Sequence, residues 1–277
     1  TLMRFLDDYD TFTRGRPANL AMAACQCYLV EGLVGGVLRW LPDPTDAVSL
    51  YERVLFPICS RLQDMLTQAP EILGATGAAG APGATNREMF IDILVGDAQV
   101  LHKACTCVPT VEGLATVLVE AWKLLLTLDD QLVVLAGIVE LSSYIWGALG
   151  ESAGKLIRLA MDEATTYELC EFMIAQLVAR FAQSPLPCHL DALGNIVEGL
   201  VAASVSSGDH QAARLETLGA TVTNSAYDIV CHALHLLSDG GENTLAGARL
   251  VELAAGLFSV LNTIAGCRPE ILLANAD

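Results

Sequence analysis

TVEGLATVLVEAWKLLLTL at residues 110–128, then Asp129-Asp130, then QLVVLAGIVELSSYIWGALG at 131–150, is the stretch that decides the fold. Both halves carry apolar residues at three- and four-residue intervals, which predicts one apolar stripe along each of two helices. The two aspartates predict a short break, at which either carboxylate caps the second helix. A connection this short favours an antiparallel helix pair. Because one pair cannot bury both stripes, we expect similar pairs to pack against it.

Similar apolar periodicity predicts helices along the rest of the chain, with prolines and glycines between them. Pro57 lies inside one of these helices and predicts a kink or break near Phe56. Thr45 is the expected cap of that helix, and Asn86 the expected cap of the next. The predicted helices span 17–41, 45–70, 86–107, 153–162, 166–183, 188–205, 209–219, 225–237 and 244–265. No alternating strand pattern with hairpin turns occurs, so the sequence predicts an all-α protein.

A repeated four-residue motif indicates how the helices are arranged. Val-Glu-Gly-Leu occurs at 30–33, 111–114 and 197–200. Each interval is about two units of the 40–47 residues that are typical of HEAT and armadillo repeats. We therefore expect residues 1–277 to form one HEAT/armadillo-like α-solenoid of stacked antiparallel helix pairs, part of a longer protein. The Gly/Ala-rich run at 74–86 predicts a flexible surface loop.

The composition argues against two classes of partner. The chain has 15 basic and 32 acidic residues, for a net charge of −17, and lacks the basic clusters that bind phosphates. Direct nucleic-acid binding is therefore not expected. The charge favours basic protein partners, or merely keeps an apolar chain soluble. The most apolar window, 20–41, contains Gln26, Glu31 and Arg39, so no membrane span is expected.

Nine cysteines are scattered through the predicted helices, and no signal peptide or Asn-x-Ser/Thr site is present. We therefore expect an intracellular protein with reduced thiols. The pairs Cys25/Cys27 and Cys105/Cys107 have the wrong spacing for a zinc site, because helical residues two apart point to diverging faces. Both pairs are interpreted as core or groove thiols.

Gly150-Glu151-Ser152-Ala153-Gly154 matches the G-x-S-x-G pattern of a serine hydrolase. In such enzymes the serine lies on a turn between a strand and a helix. The residues before this match have helical periodicity, so a hydrolase is only a remote alternative. The sequence instead predicts Ser152 as the N-cap of a new helix, with Gly150 ending the previous one. No catalytic residue is assigned, and the chain is not expected to be an enzyme.

Histidine and cysteine side chains come together near the end of the chain. His232 and His235 lie three residues apart beside Cys231, with Asp228 and Asp239 close in sequence. Such ligands hold a metal only where they converge with a fourth ligand or water. Half-buried histidines with backbone partners are the simpler interpretation, so neither a metal nor a cofactor is expected.

Four glutamates interrupt otherwise apolar helical segments. They either form an acidic surface that binds a basic partner or simply face water. These candidate partner-binding residues are Glu31, Glu140, Glu198 and Glu252.

The order of apolar positions and prolines resembles the C-terminal half of importin-β (karyopherin-β) transport receptors, and the transportin-SR branch most. The resemblance spans nearly the whole chain. It is carried by Leu29-Val30-Glu31-Gly32-Leu33, Leu41-Pro42, Pro57-Ile58, the Trp-bearing segment 120–125, the segments 173–178 and 187–194, and Arg268-Pro269-Glu270-Ile271-Leu272-Leu273. The resemblance implies a nuclear transport receptor segment, located in nucleus and cytoplasm. It would bind basic protein cargo, nucleoporins and, in the full-length protein, the GTPase Ran, and it would have no catalytic residues.

A HEAT-type scaffold subunit, held permanently in a large protein assembly, is the alternative. A transport receptor should carry a continuous acidic groove. A scaffold should carry a large apolar patch that a partner covers.

Overall fold

The computed structural model describes residues 7–9, 11, 20–41, 43–74, 83–107, 114–134, 141–159, 164–206, 209–238, 247–267 and 269. These residues form helices joined by short connections, and no strand occurs among them, which confirms the all-α prediction. The helices are α1 (Leu20–Val30), α2 (Pro44–Gly74), α3 (Gly83–Cys107), α4 (Leu114–Leu128), α5 (Ser142–Leu159), α6 (Ala164–Gln183), α7 (Pro187–Ser206), α8 (Asp209–Ser238) and α9 (Gly247–Cys267). A π-helical turn extends α1 over Glu31–Gly36, and a second extends α4 over Asp129–Val134.

Within the described part of the chain, no helix combines the length and the apolar character that crossing a membrane requires. The chain divides into two compact units, Thr1–Ala148 and Leu149–Asp277, with the boundary inside α5. Each is described by itself below. The stacking of the helices as antiparallel pairs in a solenoid stays a prediction.

In the N-terminal unit, α3 packs against both α1 and α2, and α2 also packs against α4. The stripe predicted for α2 faces inward, because Leu55, Ile58 and Leu62 are buried at three- and four-residue spacing. Burying each such side chain contributes about 1.5–3 kcal/mol. Tyr51 is fully buried on the same helix, and its hydroxyl donates to the carbonyl of Ala104 on α3 at 3.3 Å.

One buried ion pair joins α2 to α3. The guanidinium of Arg61 donates to both carboxylate oxygens of Asp97, with 2.7 Å between Arg61 Nε and Asp97 Oδ2. The Asp97 side chain is fully buried. Burial raises the pKa of Asp97, and the Arg61 guanidinium opposes that shift. Removing either partner would leave an unpaired charge in the core. The pair therefore fixes the position of α2 relative to α3.

We expect Arg61→Met to reduce the free energy of unfolding by about 3–5 kcal/mol, because Asp97 then stays buried without a counter-charge. Lys123→Met is the matched control. It breaks the exposed Lys123–Glu120 pair on α4, which contributes at most about 1 kcal/mol. Urea denaturation of both variants measures the difference, and equal losses would contradict a structural role for the Arg61–Asp97 pair.

In the C-terminal unit, α7 packs against α6, α8 and α9, and glycines bring it against α5. A Cβ on Gly150 would lie 2.5 Å from Ala192 Cα, and one on Gly199 would lie 2.5 Å from the carbonyl oxygen of Gly154. A Cβ on Gly154 would overlap the carbonyl oxygen of Asn195. Only glycine fits at these three positions, and the absence of a side chain there allows the backbones of α5 and α7 to approach this closely.

We expect Gly154→Ala to destabilise the C-terminal unit by about 1–3 kcal/mol, because the added methyl overlaps the backbone of α7. Gly32→Ala is the control, since a Cβ on Gly32 meets nothing within 4 Å. Thermal unfolding of both variants tests the difference. If Gly154→Ala were as stable as the control, the α5–α7 contact would have to be looser than described.

The two aspartates of the central stretch do not break the helix. Instead, α4 continues as a π-helical turn through Val134, and residues 135–140 lie outside the described part. The predicted cap at Asp129 or Asp130 is therefore wrong. Asp129 is buried, and its carboxylate accepts a hydrogen bond of 3.1 Å from Trp146 Nε1. The carboxylate that the sequence suggested as a helix cap is therefore buried, and its hydrogen-bond partner is the indole of Trp146 on α5.

Two other predicted interruptions are also absent, because α5 continues through Gly150 and α8 continues through Gly219. α2 also continues through Pro57, so the break predicted there as the alternative to a kink does not occur, and the kink stays a prediction. A glycine inside a helix costs only about 1 kcal/mol, and burial on both sides outweighs that. Gly150 and Gly219 are both buried.

Two predicted caps and one predicted loop also change. Asp43, not Thr45, caps α2, because its carboxylate accepts the Thr45 N–H at 2.8 Å. α3 begins at Gly83, so Asn86 lies inside the helix and does not cap it. Of the loop predicted at 74–86, Gly74 ends α2 and residues 75–82 lie outside the described residues.

Candidate functional site

Ser152, the candidate nucleophile, lies in the middle of α5 and is buried. Its hydroxyl donates to the carbonyl of Leu149 at 3.3 Å, one turn earlier in the same helix. The prediction that Ser152 caps a new helix is therefore wrong, as is the prediction that Gly150 ends the previous one. Helical backbone on both sides excludes the strand-to-helix turn that exposes a hydrolase serine. The two glycines of the G-x-S-x-G match serve the contact with α7 instead.

The histidine and cysteine group on α8 does not converge. His232 is half-buried and meets the ring of Phe181 edge-on at 5.6 Å, whereas Cys231 and His235 are exposed. Asp239 lies outside the described residues. In the part of the chain that the structure describes, no three histidine, cysteine or acidic side chains are grouped closely enough to hold a metal ion.

His189 was not singled out by the sequence, yet it is the most perturbed histidine described. It lies on the first turn of α7, and its Nδ1 accepts the N–H of Leu186 at 3.3 Å. The Phe181 ring lies edge-on to it at 6.0 Å. Burial, with a smaller contribution from the Arg180 charge, lowers the pKa of His189 from 6.5 to about 3. The imidazole is therefore neutral near pH 7 and stabilises the start of α7.

Because the pKa of His189 is lower in the folded state, its neutral form supports the fold above pH 6.5. That support is lost as the pH falls from 6.5 toward about 3. We expect His189→Asn, which keeps an acceptor but cannot titrate, to flatten stability against pH in this window. The slope should fall by up to about 1.4 kcal/mol per pH unit. His235→Asn on the exposed face of α8 is the control substitution. Urea denaturation at several pH values measures both, and an unchanged slope in His189→Asn would contradict the assignment.

The cysteines are dispersed, and no disulfide joins those that the structure describes. Burial raises the pKa of Cys59 to about 12, with Glu120 adding to the shift, and burial alone raises the pKa of Cys170 to about 12. Both thiols stay protonated at neutral pH and are poor nucleophiles. Of the two Cys-x-Cys pairs, Cys105 is buried, Cys27 and Cys107 are half-buried, and Cys25 is exposed.

A groove of about 460 Å³ lies between α2 and α4 in the N-terminal unit. Leu66, Leu124 and the inert Cys59 thiol contribute its apolar lining, and Gln63 and Thr127 contribute polar groups. The opposite charges of Glu120 and Lys123 pair with each other at 2.9 Å across one turn of α4. The groove therefore presents no uncompensated charge from this pair to a ligand.

The outer face of α9 carries exposed apolar side chains. Val251 is 71% exposed and Phe258 is 70% exposed, although both are large hydrophobic residues on an apolar helix. Exposed residues continue along this face at alternating four- and three-residue spacing. We call this row the α9 stripe: Val251, Ala255, Phe258, Asn262 and Ala265.

The α9 stripe faces away from α7. α7 packs beside α9, with the Cβ position of Gly256 3.6 Å from Pro187 Cα and that of Gly194 4.0 Å from Val260. Asp191 and Glu198 flank Gly194 at three- and four-residue spacing, and both are exposed. Both lie on α7 and not beside the α9 stripe, because Gly256 and Val260, which meet α7, are on the opposite side of α9. Glu252 is exposed on α9 itself.

The four predicted glutamates thus fall in different places. Glu198 and Glu252 lie on the neighbouring helices α7 and α9 of the C-terminal unit, and of these two residues only Glu252 is on the helix that carries the α9 stripe. Glu31 lies in the N-terminal unit, where it pairs with Lys103 on α3 at 3.1 Å. Glu140 lies outside the described residues. The α9 stripe was not predicted, because an apolar periodic helix has the same sequence pattern whether one face or both faces are covered.

Comparisons of the chain with models of known protein families, with curated proteins and with solved structures find no match.

Proposed function

We propose that this chain is a helical protein-interaction scaffold whose partner binds the α9 stripe. The observation that carries the proposal is the exposure of Val251 and Phe258, at 71% and 70%, on one face of α9. Large apolar side chains aligned on one exposed face are typical of a surface that a partner covers. Aromatic side chains such as Phe258 are enriched where partner proteins bind.

The described chemistry supports binding over catalysis. The hydroxyl of Ser152 is held inside α5, and the thiols of Cys59 and Cys170 are protonated at neutral pH. The histidine with the largest pKa shift, His189, is buried against Phe181. Each of these groups has a structural role where it lies.

The nuclear transport receptor predicted from sequence is a narrower form of this proposal. It is supported by the resemblance to importin-β receptors and by a net charge of −17, which suits basic cargo. A permanent scaffold subunit is the other form, and the exposed apolar stripe favours it. Retention of Ran-GTP by the full-length protein would distinguish the receptor, which shuttles between nucleus and cytoplasm, from the permanent subunit.

We expect a photoreactive benzoylphenylalanine at position 258 to cross-link a partner protein in extracts of the source cells. Phe258 points out of the fold, so the substitution is tolerated and the probe faces whatever covers the stripe. A probe at position 172 is the control, because Phe172 is 49% exposed on α6 of the same unit and lies outside the stripe. Gel shifts and mass spectrometry of the adducts give the result.

Adducts at position 258 but not at position 172 support the scaffold function. Absence of adducts at position 258, or equal adducts with many proteins at both positions, would contradict it.

A further inference from the structure

We infer that the groove between α2 and α4 binds a short extended segment of a partner protein, held through its backbone and carrying apolar side chains at every second residue. The groove belongs to the N-terminal unit. It is therefore a second binding surface in addition to the α9 stripe, and the inference does not depend on the function proposed for that stripe.

The groove follows both helices for about three turns. Its lining extends from Cys59 to Pro70 on α2 and from Glu120 to Gln131 on α4. Glu120 contributes to the raised pKa of Cys59, so these two residues lie at the same end and the two helices run past the groove in the same direction. From residue 59 to residue 70 the helix rises about 16 Å, which is the length of about five residues of an extended chain.

Each wall of the groove carries two hydrogen-bonding side chains one helical turn apart. Gln63 and Thr67 lie on α2, Thr127 and Gln131 lie on α4, and all four are exposed. Each threonine hydroxyl donates to a carbonyl about one turn earlier in its own helix, at 2.7 Å for Thr67 and 2.8 Å for Thr127. Because that single proton is used, the hydroxyl oxygens meet a ligand as acceptors, whereas each glutamine amide both donates and accepts.

An extended peptide backbone supplies the groups that these walls need. Its N–H groups suit the threonine oxygens, and the glutamine amides pair with either an N–H or a C=O. The groups that point to one edge of an extended chain recur every two residues, about 6.6 Å, close to the rise of about 6 Å between helical residues four apart. An α-helix uses its backbone groups internally, so its backbone would cover these polar side chains without satisfying them, at a cost in free energy.

The floor of the groove determines which side chains the bound segment carries. Leu66, Leu124 and the Cys59 thiol form the apolar part of the lining. Successive side chains of an extended chain point to opposite faces, so every second residue of the segment faces this floor and the others face water. We expect apolar residues at the positions that face the floor, because burial there removes apolar surface from water.

The charge of the groove distinguishes its ligand from a basic partner. The chain as a whole has a net charge of −17. In the described lining, however, the charged residues are Glu120 and Lys123, which pair with each other at 2.9 Å. A segment rich in Lys or Arg gains no specific partner there, and neither does an acidic one. We therefore expect a bound segment without net charge.

The probe is a library of random heptapeptides displayed on phage and selected on the immobilised full chain. We expect the enriched peptides to be neutral and to carry apolar residues at every second position. Each is then synthesised with a fluorescent label, and fluorescence anisotropy measures its affinity for the full chain. A version that is N-methylated at alternate residues keeps every side chain but loses backbone N–H donors, and we expect it to bind at least about tenfold more weakly.

Variants of the chain locate the binding in the groove. Gln63→Leu combined with Gln131→Leu removes both amides at exposed positions, and we expect it to weaken binding of the enriched peptides by at least about tenfold. Gln68→Leu is the matched control, because Gln68 is also an exposed glutamine of α2 but lies outside the lining. Phe258→Asp, in the other unit, should leave the affinity unchanged. Circular dichroism checks that each variant keeps its helices, and Thr127→Val gives a milder test of the same contact.

Several results would overturn the inference. These are a selection without enriched peptides, enriched peptides with apolar residues at helical spacing, N-methylated versions that bind as tightly as their parents, and binding that survives the loss of both glutamines. Peptides that Phe258→Asp releases would bind the α9 stripe and would also refute the groove site. Cross-linking at position 258 tests the stripe separately, so failure of the groove leaves the scaffold function standing, and failure at position 258 leaves the groove site standing.

Discussion

The contact between α5 and α7 is the constraint on which the C-terminal unit depends. Gly150 and Gly154 on α5 face Ala192, Asn195 and Gly199 on α7, with no room for a side chain at the glycines. This fixes α7, which also packs against α6, α8 and α9. The position of α9, and with it that of the α9 stripe, therefore depends on a contact on another side of α7.

Buried polar pairs give the N-terminal unit its specific arrangement. Apolar burial alone would allow α2 to shift along α3, since neighbouring leucines are nearly interchangeable. The pair of Arg61 and Asp97, and the hydrogen bond from Trp146 to Asp129, permit one alignment each. Both carboxylates belong to a strongly acidic chain, and each accepts a hydrogen bond where it is buried. Glu198 and Glu252, by contrast, are exposed.

The candidate site combines two properties that the composition shows only as totals. The chain is 53% hydrophobic and carries a net charge of −17. On α9 both properties appear together, because Val251, Phe258 and Glu252 are all exposed there.

The sequence by itself determined the helical class, most helix positions and the inward stripes, because three- and four-residue periodicity is a local property. The tertiary structure decided where helices do not stop. Gly150, Gly219 and Asp129 look like breaks locally, yet burial against neighbouring helices keeps the chain helical through each of them. It also decided which apolar face of α9 stays uncovered. The sequence of a periodic helix shows which of its faces are apolar. It does not show which of those faces a neighbouring helix covers, because that coverage depends on contacts between residues far apart in the chain.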